Sequence, residues 1–160
     1  TSTPQSVLIM LSGSVFGASF DVDVQNHNIE VHVVGRDYDG PEPRAPANLI
    51  FHGKVIKTKA LLEAADILVI NGGYSSVSEA LSLGKPTCVI PISNHAEQWV
   101  NAQLARESGQ CIVSENGDIT EAIQSLCEKF EALRSAPKRR DTAFPSGRRA
   151  AAQAILGISN

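Results

Sequence analysis

Short runs of β-branched and other apolar residues recur along the chain with helical stretches between them: Val7 to Leu11, Ile29 to Val34, Leu49 to His52, Ile67 to Ile70, Thr87 to Ile92, and Cys111 to Val113. Runs this short and this uniformly apolar predict strands buried on both faces. Helices are expected over Thr58 to Ala65, Ser76 to Leu83, Ala96 to Ser108 and Ile119 to Ser135. Such alternation specifies an α/β fold, an open parallel sheet of about six strands with right-handed crossovers and helices on both faces. The first crossover is irregular, because Ser14 to Asn28 holds little helical periodicity. Asp37 to Asn48, with Pro41, Pro43 and Pro46, has the composition of a surface loop. Pro137 to Arg140 and Pro145-Ser146-Gly147 suggest a linker before a final alanine-rich helix at about 146–157.

At 160 residues the chain is expected to be a single domain over 1–160, long enough to bury about two-thirds of its unfolded surface in one core. A net charge of -3 gives no broad electrostatic drive toward nucleic acid. The three cysteines, Cys88, Cys111 and Cys127, are an odd number with no C-x-x-C pair. A reducing, cytoplasmic setting therefore fits better than a disulfide framework. No apolar run approaches the ~20 residues of a spanning helix, and the N-terminus has no basic segment followed by an apolar one. The first residue is Thr1, which suits a fragment as well as a processed chain.

Ligands of open α/β sheets bind beyond the carboxyl ends of the strands. The loops expected there are Ser12-Gly13-Ser14, Gly53 to Lys57, Asn71 to Ser76, Ile92 to Gln98, and Ser114 to Gly117. In the third of them a strand breaks at Asn71-Gly72-Gly73 and feeds a serine-rich helix. That junction gathers main-chain N–H groups and the positive end of a helix dipole at one point, which suits a phosphate. The bland alternative is a tight turn and nothing more. Glu79 also has two readings, since Ser76-Val77-Ser78-Glu79 fits a capping box, while a carboxylate in that helix would accept hydrogen bonds from ribose hydroxyls. Gly84-Lys85-Pro86 is a helix stop.

Glu97, Gln98 and Asn101 fall early in the next helix, with Gln98 and Asn101 on one face. They are placed to reach a sugar or to be solvated, as is His95 just before them. Trp99 and Val100 are expected to face the core. His27, His32 and His52 lack ligand spacing and are expected to be structural, and no metal site is expected. Asp21-Val22-Asp23 has a metal-nucleotide D-x-D form but sits in an irregular acidic loop. Gly13 and Gly17 do not complete G-x-G-x-x-G, although Asp37 after the second strand could mimic a ribose-binding acid. The chain holds no G-x-S-x-G elbow, H-E-x-x-H motif or Walker lysine.

Asn71-Gly72-Gly73-x-x-Ser76-x-x-Glu79-x-Leu81-x-x-Gly84-x-Pro86, then Pro91, Glu97-Gln98-x-x-Asn101-Ala102 and Gly109, form one spaced pattern. It resembles the donor half of GT-B glycosyltransferases, in particular the branch (family 28-like) that includes the bacterial lipid II-forming N-acetylglucosaminyltransferase. The resemblance implies a Rossmann-like domain, one half of a GT-B fold, binding a nucleotide diphosphate sugar. Uridine is the expected base and thymidine the alternative. It implies that the main chain of Ser12, Gly13, Ser14 and of Gly72, Gly73, Ser75 and Ser76 holds the diphosphate. Glu79 would then bind the ribose hydroxyls, Val55 would meet uracil through its backbone, and His95, Glu97 and Gln98 would contact the transferred sugar.

Transfer of a hexosyl group to an acceptor hydroxyl would need neither cofactor nor metal. Departures from the pattern are Asn71, where relatives often carry histidine or serine, and a first loop poorer in glycine than usual. The resemblance places the acceptor site and the catalytic base on an N-terminal domain outside this sequence, so the catalytic residues stay unassigned and the isolated chain is expected to be inactive. Any contact with the inner face of a membrane would come through that domain. Alternatives are a nucleotide-sugar epimerase or hydrolase, or a binding subunit that works beside a separate acceptor-binding partner.

Overall fold

The computed structural model describes residues 3–12, 28–35 and 48–137. Strands β1 (Ser6–Leu11), β2 (Glu30–Gly35), β3 (Leu49–Gly53), β4 (Ile67–Asn71), β5 (Thr87–Ile90) and β6 (Cys111–Val113) form one sheet in the order β3-β2-β1-β4-β5-β6. Every adjacent pair is parallel, with Val7 opposite both Val31 and Ile67. The helices are α1 (Lys59–Ala64), α2 (Tyr74–Leu83), α3 (Ala96–Glu107), α4 (Ile119–Glu128) and α5 (Phe130–Arg134). Expectations for the first crossover, the proline-containing loop, the linker and the final helix lie outside the described residues. So do Gly13, Ser14, Asp21, Asp23, His27 and Asp37.

The expected open parallel sheet is present, and its central strands are apolar because each has two faces to bury. Val7, Ile9 and Leu11 of β1 join Ile67 and Val69 of β4 beneath Ile123 and Leu126 of α4 and Phe130 and Leu133 of α5. Leu8 and Met10, on the other side of β1, join Leu68 and Ile70 beneath Leu62 of α1, Val77 and Ala80 of α2, and Ala102 and Ala105 of α3. At about 1.5–3 kcal/mol for each buried large aliphatic side chain, these two layers dominate the stability of the fold.

Three expectations are corrected by the packing. The edge strand β3 is not buried on both faces, and Ile50 is 42% exposed. The strand after Thr87 ends at Ile90 rather than Ile92. The helix expected over Ile119 to Ser135 breaks at Lys129, which has φ -99° and ψ 9° and divides α4 from α5.

Two side chains fix the ends of the central elements. Asp66 Oδ2 accepts hydrogen bonds from the N–H groups of Gln5 and Ser6 at 2.8 and 3.2 Å, which aligns the start of β4 with that of β1. Lys85, in the helix stop, donates to the carbonyls of Glu63 and Ala65 at 2.8 and 2.6 Å, satisfying acceptors at the C-terminus of α1. Gly84, at φ 66°, is the left-handed cap of α2 that the stop signal predicts. Among the described residues no helix is long and apolar enough to cross a membrane.

Candidate functional site

The strand order reverses between β1 and β4, and in open α/β sheets the crevice that takes a ligand lies at the carboxyl ends of the strands at such a point. Asn71, the last residue of β4, spans this point. Its Oδ1 accepts from the Ser12 N–H at 2.7 Å, and its Nδ2 donates to the Ile90 carbonyl at 3.0 Å, so one amide ties the ends of β1, β4 and β5 together. At the position where the resembled pattern often carries histidine or serine, asparagine supplies one acceptor and one donor.

Gly72 follows, and α3 holds it from both sides. The Gly72 N–H donates to Gln98 Oε1 at 3.1 Å, and the Gly72 carbonyl accepts from Asn101 Nδ2 at 2.8 Å. A Cβ on Gly72 would stand 2.5 Å from the Gln98 carbonyl oxygen. Only glycine fits that approach. Gln98 Oε1 also accepts from the Ile92 N–H at 3.0 Å, so one side-chain oxygen joins the loops after β4 and β5. Both of its partners are backbone donors, which fixes the amide orientation, since the NH₂ end could not accept them.

Gly73 is the N-cap of α2 at φ -62° and ψ 141°, and its carbonyl accepts the Val77 N–H at 3.0 Å. The helix therefore starts at Tyr74. The capping-box reading of Ser76 and Glu79 is thus incorrect, because Ser76 lies inside the first turn and Glu79 well into the helix. Glu79 is half-buried, and its carboxylate makes no hydrogen bond or ion pair among the described residues. Among those residues the N–H groups of Gly73 and Ser75 have no acceptor, and a Cβ on Gly73 would meet nothing within 4 Å. Among the described residues, free donors, a helix dipole and open space before Gly73 coincide at the N-terminus of α2. Of the main-chain donors expected there, those of Ser12 and Gly72 are already engaged by side chains.

The remaining candidates surround this point. Val55, half-buried in the loop after β3, packs against the core layer of α1 to α3. His95 is the exposed N-cap of α3 and makes no side-chain cap bond, and Glu97 lies in the first turn. Asn94, just before them, takes φ 64°, a left-handed conformation that asparagine tolerates better than most residues. Trp99 does not face the core as expected. It is 52% exposed and, with Pro91, Ile92, His95 and Glu115, lines a cavity of about 530 Å³. Val100 is half-buried.

Desolvation pushes the thiols of Cys88 and Cys111 up to about 12, which makes both inert. Among the described residues no group of His, Cys, Asp and Glu could hold a metal ion. His32 Nδ1 and His52 Nε2 are hydrogen-bonded at 2.8 Å, and His32 Nε2 contacts Glu30 Oε1. This chain at the sheet edge went unrecognised in the sequence, where the histidines show no ligand spacing; Glu30 and His32, two apart on β2, share a face.

The Glycosyltransferase family 28 C-terminal domain matches this chain over residues 27–155. The chain belongs to that family. A curated relative, the UDP-N-acetylglucosamine--N-acetylmuramyl-(pentapeptide) pyrophosphoryl-undecaprenol N-acetylglucosamine transferase of Desulforudis audaxviator, is 28% identical over 127 residues, which are 74% of this chain and 33% of the relative. This family 28 domain thus spans about a third of that relative's length. Among solved structures, the glycosyltransferase SnogD from Streptomyces nogalater matches with a TM-score of 0.66 at 22% identity, over 99% of this chain and 44% of its own. The glycosyltransferase SsfS6 from Streptomyces sp. SF2575, solved with thymidine diphosphate, matches with a TM-score of 0.58 at 16% identity, over 98% of this chain and 38% of its own. These likenesses show the fold, one half of a GT-B architecture.

Proposed function

We propose that this domain binds the donor of a glycosyltransferase, a nucleotide diphosphate sugar and most simply a UDP-sugar. The observation that carries the reading is the N-terminus of α2, near the point where strand order reverses, where among the described residues the Gly73 and Ser75 N–H groups have no acceptor and an added Cβ on Gly73 would meet nothing within 4 Å. A diphosphate there meets hydrogen-bond donors and the positive end of a ten-residue helix. The printed names of the relatives agree, since one uses a UDP-sugar and another was crystallised with thymidine diphosphate.

In this reading Glu79, free of any cap role, accepts hydrogen bonds from the ribose hydroxyls. Val55 presents its backbone to the base. His95, Glu97 and the NH₂ end of Gln98 face the sugar, and with the Ser12 N–H held by Asn71, further diphosphate donors are assigned to Gly13, Ser14 and Ser76. An acceptor hydroxyl attacks the anomeric carbon while its bond to the diphosphate oxygen breaks. The charge that develops on the leaving diphosphate is met by the α2 N-terminus, the kind of preorganised donor that lowers a barrier most. That donor set takes the place of a divalent cation. The acceptor site and the base that takes the hydroxyl proton belong to a further domain or a separate subunit.

The test is a titration of ¹⁵N-labelled protein with UDP in the presence of EDTA. Shifts are expected at Val55, Gly72 to Glu79 and Gln98. An unperturbed spectrum at millimolar UDP, or shifts confined to another face, refutes the proposal.

A further inference from the structure

Gln98 and Asn101 are three residues apart on α3, and both spend their hydrogen bonds on main chain. Gln98 Oε1 takes the N–H groups of Gly72 and Ile92 at 3.1 and 3.0 Å, and Asn101 Nδ2 holds the Gly72 carbonyl at 2.8 Å. Gly72 thus has both its main-chain groups fixed by one helix, in a space that admits no Cβ. Asn101 is fully buried, so its bond does not compete with water. Through Gln98 the same helix also holds Ile92, the second residue after β5.

We propose that Gln98 and Asn101 are positioning residues that hold the loop after β4 in its ligand-ready shape and lock it to the loop after β5. Nucleoside diphosphate affinity then depends on two side chains that do not touch the diphosphate, and occupation of one loop stiffens the other. Fixing the loop in advance removes ordering entropy that binding would otherwise have to overcome. Cutting the Gln98 link leaves two backbone N–H groups without acceptors and lets the loops move independently. This inference rests on the proposed donor site for its ligand, but the lock itself is a property of the free protein.

The experiment compares residue-resolved amide exchange and UDP binding in the parent, Gln98→Met and Gln98→Glu. In free protein, Gln98→Met should speed exchange at both Gly72 and Ile92 by about tenfold, the equivalent of one to two net hydrogen bonds, and weaken UDP by a similar factor. Gln98→Glu keeps an acceptor for both N–H groups, so its exchange should stay at the parent level. A loss of core stability alone would not be rescued in this way at these two amides. Added UDP should slow Ile92 together with Gly72 in the parent, and Gly72 alone in Gln98→Met.

The lock is overturned if Gln98→Met leaves either amide at its parent rate, or if Ile92 in the parent ignores UDP that has bound. Should UDP fail to bind the parent, the donor-site reading falls and the ligand-free exchange rates still decide the lock. Should Gln98→Met fail to fold, the paired response of Gly72 and Ile92 in the parent decides it.

Discussion

An added Cβ would stand 2.5 Å from the Gln98 carbonyl oxygen at Gly72 but would meet nothing within 4 Å at Gly73. The two glycines of one sequence signal therefore serve different ends, close packing against α3 and clearance in front of α2. Gly72→Ala is expected to lower stability by about 1–3 kcal/mol, since the clash is with backbone that cannot swing away. Gly73→Ala is expected to cost less than about 1 kcal/mol, and to weaken UDP binding because its methyl fills the space before the free N–H groups. Thermal melts and UDP titrations of both variants check this, and equal UDP affinity for Gly73→Ala and the parent would show that the space is not the ligand's. At Glu79, two turns further on, Glu79→Gln should weaken UDP by about 1.5–3 kcal/mol, the range for a hydrogen bond to a charged group. Its melting temperature should hardly move, because no cap or ion pair is lost. A fall in stability with affinity intact would reverse that assignment.

At the scale of elements, what could be read from sequence followed from burial. Strands β1, β4 and β5 stand out because both of their faces are covered, whereas β3 is an edge strand whose apolar Ile50 misleadingly suggests the same. The helix break at Lys129 was invisible, since Leu126, Phe130 and Leu133 keep facing one core layer across it. The capping-box pattern failed because Gly73 supplies an extended N-cap and starts α2 ahead of Ser76. The pairing of β2 with β3 carries a pH effect. Burial, and then the neighbouring His32, hold the His52 imidazole below its ordinary value. As pH falls below about 6.5 the unfolded chain takes up that proton before the folded one, so the contribution is present above that pH and lost on acidification. Melting temperatures between pH 7.5 and 5 should therefore fall more steeply in the parent than in His52→Gln. Parallel profiles would remove His52 from the account.

Across the whole molecule, the crevice was legible because glycine at a strand end is a local signal, but the links that shape it were not. Gln98 and Asn101 reach Gly72 across 26 and 29 residues, and Asn71 reaches Ser12 across 59, separations that no local pattern encodes. The spacing of Gln98 and Asn101 placed them on one face; only the packing of α3 against the loop turned that face inward. The same scale governs activity. The match covers 33% of the curated relative and 44% of the SnogD chain, less than half of either. The polypeptide is expected to bind UDP-sugar and yet give no sustained transfer to lipid or saccharide acceptors, because the proposed reading puts the acceptor site and the base for its hydroxyl on a further domain or a separate subunit. Adding the acceptor-binding half of a family relative, as a fusion or a separate chain, should restore turnover. Sustained transfer by the 160 residues alone, abolished by a substitution within them, would show instead that the reaction centre is complete in this domain.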